Sequence, residues 1–157
     1  MPLTKKASPQ EHDYVFPQSP ADSVSSIVPN GSSNMDTTLL FATSWDNAVT
    51  CYEIKQQPNQ PSMTSLGQPN HSQHSNYTAI MQSQIKHDAP VLCCDICKTD
   101  NYTVFSGSAD GAVKMWTATQ GPNAVQQIGK HEQGVKGVKY IEDKKLVVTG
   151  CVQSIIY

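Results

Sequence analysis

The sequence predicts an all-β fold built from repeated four-stranded antiparallel units. Short apolar runs separated by turn residues fill most of the 157 residues, and such runs are typical of strands. Phe105–Trp116 contains two of these runs joined by Asp110-Gly111, a dipeptide that favours a tight hairpin turn. His131 repeats the setting of His87 after 44 residues, which is a period found in repeat architectures.

Four residues of the central repeat match the spacing of the structural tetrad in a WD40 propeller blade. The aspartate can accept a bond from the histidine, the histidine can contact the serine, and the serine can contact the indole N–H. Such a buried network is stable only if every member is satisfied. The open alternative is a hairpin with a core tryptophan and a surface histidine. We expect a structural role rather than catalysis for this set, which comprises His87, Ser106, Asp110 and Trp116.

An earlier copy of the repeat covers the first part of the chain. Ser44–Ile54 aligns with Ser108–Ala118, so that Asp46 occupies the turn and Tyr52 replaces tryptophan. This copy lacks the serine of the tetrad because Ala42 stands in its place. Two readings of Trp45 remain open. An exposed aromatic near a propeller face is a candidate binding anchor, and a packing role is equally compatible with the sequence.

The repeats divide the chain into one tail and three units. We predict a disordered tail over 1–20, because it is polar and Pro-rich. The predicted units are a blade over 21–85 with a flexible insertion at 55–76, a blade over 86–129 and a partial blade over 130–157. The predicted strands are 22–28, 38–43, 77–85, 90–97, 102–107, 112–117, 124–128, 135–140 and 146–150. Within the strand at 90–97, alternation places Val91, Cys93 and Asp95 opposite Leu92, Cys94 and Ile96.

Composition excludes several classes of function. The net charge is −2 and all 11 basic residues are lysine, which disfavours bidentate phosphate or guanine contacts. We expect no signal peptide, because no apolar core follows the first basic pair, and no membrane insertion, because no apolar stretch is long enough. Five cysteines, an odd number without secretory context, are expected to be reduced intracellular thiols.

Two further residue groups have competing interpretations. The pairs His71/His74 and Cys94/Cys97 could together bind zinc, but their spacing is unusual for zinc and strand residues alternate sides, so buried thiols are favoured. Five lysines near the last unit could contact RNA or protect a strand edge, and edge protection is favoured. These lysines are Lys130, Lys136, Lys139, Lys144 and Lys145.

Taken in order, the motifs resemble the WD40 mRNA export factors of the nuclear pore, the Gle-two/RNA-export-one family. Each motif alone indicates only WD40, whereas their order and the Ser-Trp-Asp copy indicate this family. The resemblance covers nearly the whole chain apart from the tail and the 55–76 insertion. The stretches that carry it are 19–25, Phe41–Val49, His87–Leu92, Ser106–Trp116, 126–131 and 147–150.

The resemblance implies a seven-bladed propeller of which about two and a half blades are present. It implies an interaction scaffold that binds a nucleoporin segment called GLEBS, meets mRNA–protein particles and works in the nucleus, at the nuclear pore and envelope, and in the cytoplasm. It implies neither an enzyme nor a cofactor nor a small-molecule substrate. The alternatives are a related mitotic checkpoint WD40 protein and a truncated fragment without independent function.

The last segment departs from the family pattern. Cys151-Val152-Gln153 stands where the family has Ser-Trp-Asp, and the later blades are absent. A propeller closes by pairing its last blade with its first, which removes open sheet edges. We therefore expect this chain alone to be marginally stable and prone to aggregate.

Overall fold

The computed structural model describes residues 16–30, 37–56, 77–100, 102–151 and 155–156. Apart from two 3₁₀ helices at Gly121–Ala124 and Glu142–Lys144, all regular elements of that part are β-strands. The strands are β1 (Val24–Pro29), β2 (Thr37–Ser44), β3 (Ala48–Gln56), β4 (Tyr77–Lys86), β5 (Val91–Ile96), β6 (Thr103–Ser108), β7 (Ala112–Thr117), β8 (Gln126–Lys130), β9 (Val135–Ile141), β10 (Leu146–Cys151) and β11 (Ile155–Ile156).

The strands form three antiparallel meanders in which each strand pairs with its neighbours in sequence. Strands β1 to β4 form the first sheet, β5 to β8 the second, and β9 to β11 the third; we call them blades 1, 2 and 3. Strands β1, β5 and β9 lie at corresponding edges of their sheets. The predicted all-β class is confirmed, and stacked meanders of this kind are the architecture of a partial β-propeller.

Two apolar cores hold the blades together, one on each face of blade 2. In the first core the rings of Phe41 and Trp116 meet edge to face, with their centroids 6.3 Å apart. In the second core Phe105 stacks on Tyr140 at 5.0 Å, beside the fully buried Val135. Burying one large apolar side chain is worth about 1.5–3 kcal/mol, so these faces drive the stacking of the blades.

Strand β5 departs from the alternation that the sequence suggests. Val91, Cys94 and Ile96 share the first core, whereas Cys93 faces the second. Our placement of Val91 on the same side as Cys93 was wrong. The pairing of β5 with β6 shifts register between Val91 and Cys93, and a β-bulge of this kind turns the next side chain to the other face.

The predicted tail and insertion lie mostly outside the described residues, and so do residues 152–154, where the sequence departs from the family pattern. Residues 16–20 are described, and they lie against blade 1. The Phe16 ring meets the Tyr52 ring edge to face at 5.1 Å, and the Tyr52 hydroxyl donates a 3.0 Å bond to the Gln18 carbonyl. The start of the predicted insertion, Lys55 and Gln56, belongs to β3. No helix in the described segments has the length and apolar character needed to cross a membrane.

Candidate interaction face

The hairpin turns of blades 1 and 2 and the links between blades meet at one end of the sheets. The His87 amide donates to the Asn47 carbonyl at 2.8 Å, and the His131 amide donates to the Gly111 carbonyl at 2.9 Å. Each link between blades is thus anchored to the turn of the blade before it. We call the surface of these segments the turn face; it comprises residues 45–47, 87–90, 109–111 and 131–134.

The Asp110 carboxylate closes the turn of blade 2. It accepts bonds from the Ser108 hydroxyl and, at 3.1 Å, from the Ala112 amide. The Ser108 hydroxyl is the main cause of a lowered pKa for Asp110, so the carboxylate is ionised at neutral pH. Gly111 follows with a φ of 85°, a conformation that glycine adopts without the steric cost that other residues meet.

Asp46 repeats this arrangement in the turn of blade 1. It accepts bonds from the Ser44 hydroxyl, from the Ala48 amide at 3.0 Å and from the Ala21 amide at 2.9 Å. Burial opposes its ionisation, but these donors outweigh burial and lower the pKa of Asp46. Asn47 occupies the position of the glycine with a φ of 70°. Asp46 therefore stands in the turn position that the repeat alignment predicts.

Behind the turn face, two buried histidines each bind a hydroxyl group. His87 Nε2 lies 2.8 Å from Ser106 Oγ, and His131 Nε2 lies 2.9 Å from Thr149 Oγ1. Burial, assisted by the positive charge of Lys114, lowers the pKa of His87 to about 4. The imidazole of His87 is therefore neutral at pH 7, and its bond to Ser106 joins two uncharged groups.

Only two of the four predicted tetrad members are in hydrogen-bond contact. His87 Nδ1 and Trp116 Nε1 are buried and find no hydrogen-bond partner among the described residues. The expected His87–Asp110 and Ser106–Trp116 bonds are therefore not formed. The reason is that the Asp110 carboxylate turns toward its own hairpin, while the Trp116 ring is oriented by packing on Phe41. A structural role for the full set of four stays a prediction.

Trp45 is the exposed aromatic residue of the turn face. Its side chain is 53 % exposed, while its amide donates to the Ser23 carbonyl at 2.9 Å. Ala109 takes the same place in blade 2, where its amide donates to Pro90 at 2.8 Å. The backbone of the turn thus holds Trp45 in position while the indole projects into solvent. The binding-anchor interpretation of Trp45 stays a prediction.

The cysteines are distributed between the cores. Cys94 lies in the first core and Cys97 in the second, so the two thiols of the Cys-x-x-Cys motif face different sides of blade 2. Their expected companions, His71 and His74, lie outside the described residues. No group of three potential metal ligands occurs in the described part of the chain. All five cysteines are among the described residues, and none of them forms a disulfide bond.

A cleft of about 690 Å³ lies between blades 1 and 2, and most of its lining residues belong to loops and strand ends away from the turn face. Asp100 lines this cleft, but its carboxylate accepts bonds from the Tyr102 and Thr103 amides at 3.0 Å each. Glu53 also lines the cleft, and it pairs with Lys55 at 3.1 Å. Both carboxylates thus serve contacts within their own blades, and the turn face is the better candidate for recognition.

Two carboxylates that tie blade 2 to blade 3 escaped the sequence analysis. Asp95 accepts a 2.8 Å bond from the Tyr140 amide and pairs with the Lys139 ammonium at 3.1 Å. In the other direction, Glu142 accepts a bond from the Lys98 amide. The available signal was the position of Asp95 in an apolar strand, because aspartate is rarely buried without a partner.

The comparisons with known proteins agree with this architecture. The WD domain, G-beta repeat family matches residues 79–117. The chain is 36 % identical over 124 residues to Protein RAE1 of Arabidopsis thaliana, which covers 79 % of this chain and 29 % of that protein. It is 28 % identical over 144 residues to the mitotic checkpoint protein bub3 of Dictyostelium discoideum, covering 90 % of this chain and 34 % of that protein.

A third relative is the mRNA export factor of Xenopus tropicalis, which is 30 % identical over 104 residues, covering 66 % of this chain and 22 % of that protein. The chain spans about a third of the length of the first two relatives. The matched repeat runs from within β4 to the end of β7, so it includes the turn of blade 2 and all four predicted tetrad positions. The chain therefore belongs to the WD40 repeat proteins and is, over part of its length, a relative of proteins named Rae1 and mRNA export factor.

Proposed function

We propose that this chain is part of a WD40 scaffold that acts in mRNA export and binds a GLEBS-type segment of a nucleoporin. The observation that carries the proposal is the 36 % identity to RAE1 over 79 % of the chain, supported by the relative named mRNA export factor. For such a role we expect the protein in the nucleus, at the nuclear pore and envelope, and in the cytoplasm.

The buried polar groups support a scaffold rather than an enzyme. Ser106 is fully buried and His87 is 4 % exposed, so neither side chain can meet a substrate on the surface. A nucleophile and its base must both reach the bond that reacts. The pair instead joins the link that precedes blade 2 to strand β6. The proposal accordingly includes no catalytic step, no cofactor and no small-molecule substrate.

The turn face supplies the recognition surface in this proposal. Tryptophan is among the residues that contribute most to protein interfaces, because it buries a large rigid ring while its N–H keeps a hydrogen bond. Trp45 is exposed in this way, and the exposed acidic residues Asp88 and Glu132 lie on the same face. We therefore expect an extended segment that places an apolar side chain on Trp45 and basic side chains beside the two carboxylates.

In this proposal the chain meets mRNA–protein particles through its nucleoporin partner and does not bind RNA directly. Lys139 is paired with Asp95, and Lys136, Lys144 and Lys145 are exposed near strand ends. Lysines in such positions protect sheet edges. The overall charge of −2 adds no attraction for a polyanion.

A peptide-binding measurement tests the proposed site. A fluorescent GLEBS-type peptide is titrated with the chain and with Trp45→Ala, and the dissociation constant is read from anisotropy. We expect Trp45→Ala to raise the dissociation constant about 30-fold, equivalent to about 2 kcal/mol. Tyr77→Ala is the matched control, because Tyr77 is also 53 % exposed but begins β4 at the opposite end of blade 1.

Equal effects of the two substitutions would contradict the proposed site, and absence of any peptide binding would contradict the proposed partner. Because the chain spans about a third of its relatives, both variants are also measured in the longest protein that the gene encodes. Trp45 lies in a solvent-exposed turn, so its replacement leaves the cores intact. Unchanged thermal unfolding of Trp45→Ala confirms that any loss of binding is local.

A mitotic checkpoint role is the second candidate, and the match to bub3 over 90 % of the chain favours it. Depletion of the protein in cells separates the two. Retention of polyadenylated RNA in the nucleus supports the export role, whereas failure to arrest in mitosis under a spindle poison supports the checkpoint role. Neither effect is expected if the chain has no independent function.

A further inference from the structure

We propose that Ser19 is a phosphorylation site for a proline-directed kinase, and that its phosphate releases residues 16–21 from blade 1. We call these residues the strap. The proposal concerns the face of blade 1 that lies opposite the first core. It does not rest on the proposed function, because its observations are contacts within this chain.

Three contacts hold the strap on blade 1. The Phe16 ring meets the Tyr52 ring at 5.1 Å, the Tyr52 hydroxyl donates to the Gln18 carbonyl at 3.0 Å, and the Ala21 amide donates to Asp46 at 2.9 Å. Tyr52 is only 2 % exposed. The strap is therefore attached both to the body of blade 1, through Tyr52, and to its turn, through Asp46.

The strap occupies a position that another blade fills elsewhere in the molecule. Tyr52 is the repeat counterpart of Trp116, and the Trp116 ring packs edge to face on Phe41 of the preceding blade. Phe16 makes the corresponding edge-to-face contact with Tyr52. The strap thus supplies from within the chain the aromatic contact that Trp116 receives from blade 1. Release of the strap uncovers an apolar blade face.

Ser19 is placed to control this contact. Its side chain is exposed, Pro20 follows it, and its hydroxyl donates a 2.7 Å bond to the Phe16 carbonyl. That bond spans a turn in which Gln18 has a φ of 52°, a conformation that is unfavourable for a residue with a side chain. The Ser19 hydroxyl therefore stabilises a strained turn at the point where a Ser-Pro dipeptide meets solvent.

The modification removes this support in a defined way. The kinase transfers the terminal phosphoryl group of a nucleoside triphosphate to Ser19 Oγ; the new O–P bond forms as the bond to the nucleoside diphosphate breaks, and the hydroxyl proton leaves through the base of the kinase. The phosphorylated oxygen cannot donate to the Phe16 carbonyl. The added negative charge also lies two residues from Ala21, whose amide is bound to the Asp46 carboxylate, and like charges repel.

The first test treats the purified chain with a proline-directed kinase and magnesium ATP, locates the phosphate by mass spectrometry, and follows hydrogen–deuterium exchange. We expect phosphate on Ser19 and at least fivefold faster exchange over 16–22, with unchanged exchange in β7. Ser19→Ala takes up no phosphate at this position. Ser8-Pro9, the other Ser-Pro pair of the chain, serves as the internal comparison outside the strap.

The second test weakens the strap contact by substitution and measures how fast Ser19 is then phosphorylated, because a strap that opens more often offers Ser19 to the kinase more often. Tyr52→Phe removes the hydroxyl that binds the Gln18 carbonyl and should raise the initial rate of Ser19 phosphorylation about fivefold, the factor expected for one hydrogen bond. Tyr102→Phe is the control, because Tyr102 is exposed and remote from the strap. Phosphate on Ser8 alone, unchanged exchange of the modified strap, or equal rates for the two tyrosine variants would each overturn the proposal.

Discussion

Burial lowers the pKa of His87 to about 4, whereas an imidazole in the unfolded chain has a pKa of about 6.5. Between these values the unfolded chain binds a proton that the folded chain does not. The contribution of His87 to stability is therefore complete above about pH 6.5 and falls as the pH drops toward 4, by about 3 kcal/mol in total. Urea unfolding at pH 7.5 and at pH 4.5 measures this loss.

His87→Gln is the variant that isolates the effect, because glutamine can still bind the Ser106 hydroxyl but does not titrate. We expect His87→Gln to be less stable than the parent chain at pH 7.5. We also expect its free energy of unfolding to change much less between pH 6.5 and pH 4. The lowered pKa values of Asp46 and Asp110 place their contribution to acid unfolding below this range. An identical pH dependence in His87→Gln and in the parent chain would contradict the assignment.

For the individual residues, the sequence predicted the positions of the tetrad side chains but only some of the hydrogen bonds between them. The 44-residue spacing of His87 and His131 predicted where imidazoles enter the blades. The orientation of Asp110 could not be predicted from spacing. Its carboxylate has competing donors in its own hairpin, and the choice among them depends on side-chain rotation rather than on residue order.

The two hairpin turns show how one backbone requirement is met by different residues. Gly111 has a φ of 85° and Asn47 a φ of 70°. A Cβ added at Gly111 would lie 2.1 Å from the His131 carbonyl oxygen, so Gly111→Ala adds both backbone strain and a clash with the link that precedes blade 3. We expect the free energy of unfolding to fall by about 3 kcal/mol or more, as measured by urea unfolding.

Asn47 provides the matched comparison. Asparagine tolerates a positive φ better than most residues, so Asn47→Gly should change the free energy of unfolding by less than about 1 kcal/mol, whereas Asn47→Ala should lower it by about 1 kcal/mol. Equal free energies of unfolding for Gly111→Ala and Asn47→Gly would contradict the close approach of the blade 2 turn to the His131 carbonyl.

Most of the β-strands could be predicted from the sequence. Alternation and turn residues located Tyr77–Lys86 and Ala112–Thr117 closely, because each is bounded by polar or turn segments. The bulge in β5 was not accessible, because its sequence carries no glycine or other marker at Val91 or Cys93. It is produced by the pairing with β6, which depends on a second strand.

At the scale of the whole molecule, stability depends on how the three blades stack. Repeat spacing predicted that stacking, because each repeat must bury its apolar face against a neighbour. The carboxylate ties between blades 2 and 3 were not predicted, because the partners of Asp95 and Glu142 lie 44 or more residues away in sequence. Cys93 and Cys94 point from one strand into the two cores and so report separately on the two interfaces.

Burial raises the pKa of Cys93 to about 11 and that of Cys94 to about 12, so neither thiol reacts with iodoacetamide until its interface opens. The first core contains Trp116 and Phe41, whereas the second joins blade 2 to a sheet of three strands. We therefore expect Cys93 to be alkylated before Cys94, with the partly exposed Cys151 reacting first of the three, as measured by mass spectrometry over time.

Two core substitutions make this prediction specific to each interface. Val138→Ala removes methyl groups from the second core and should speed the alkylation of Cys93 about tenfold, while leaving Cys94 nearly unchanged. Ile85→Ala should do the reverse, because Ile85 lies in the first core. If each substitution accelerated the alkylation of Cys93 and Cys94 equally, the two interfaces would open in one cooperative step. The blades would then not be separable units. Selective acceleration shows that each interface opens separately, and alkylation of Cys93 before Cys94 in the parent chain then identifies the blade 2–3 contact as the weaker one.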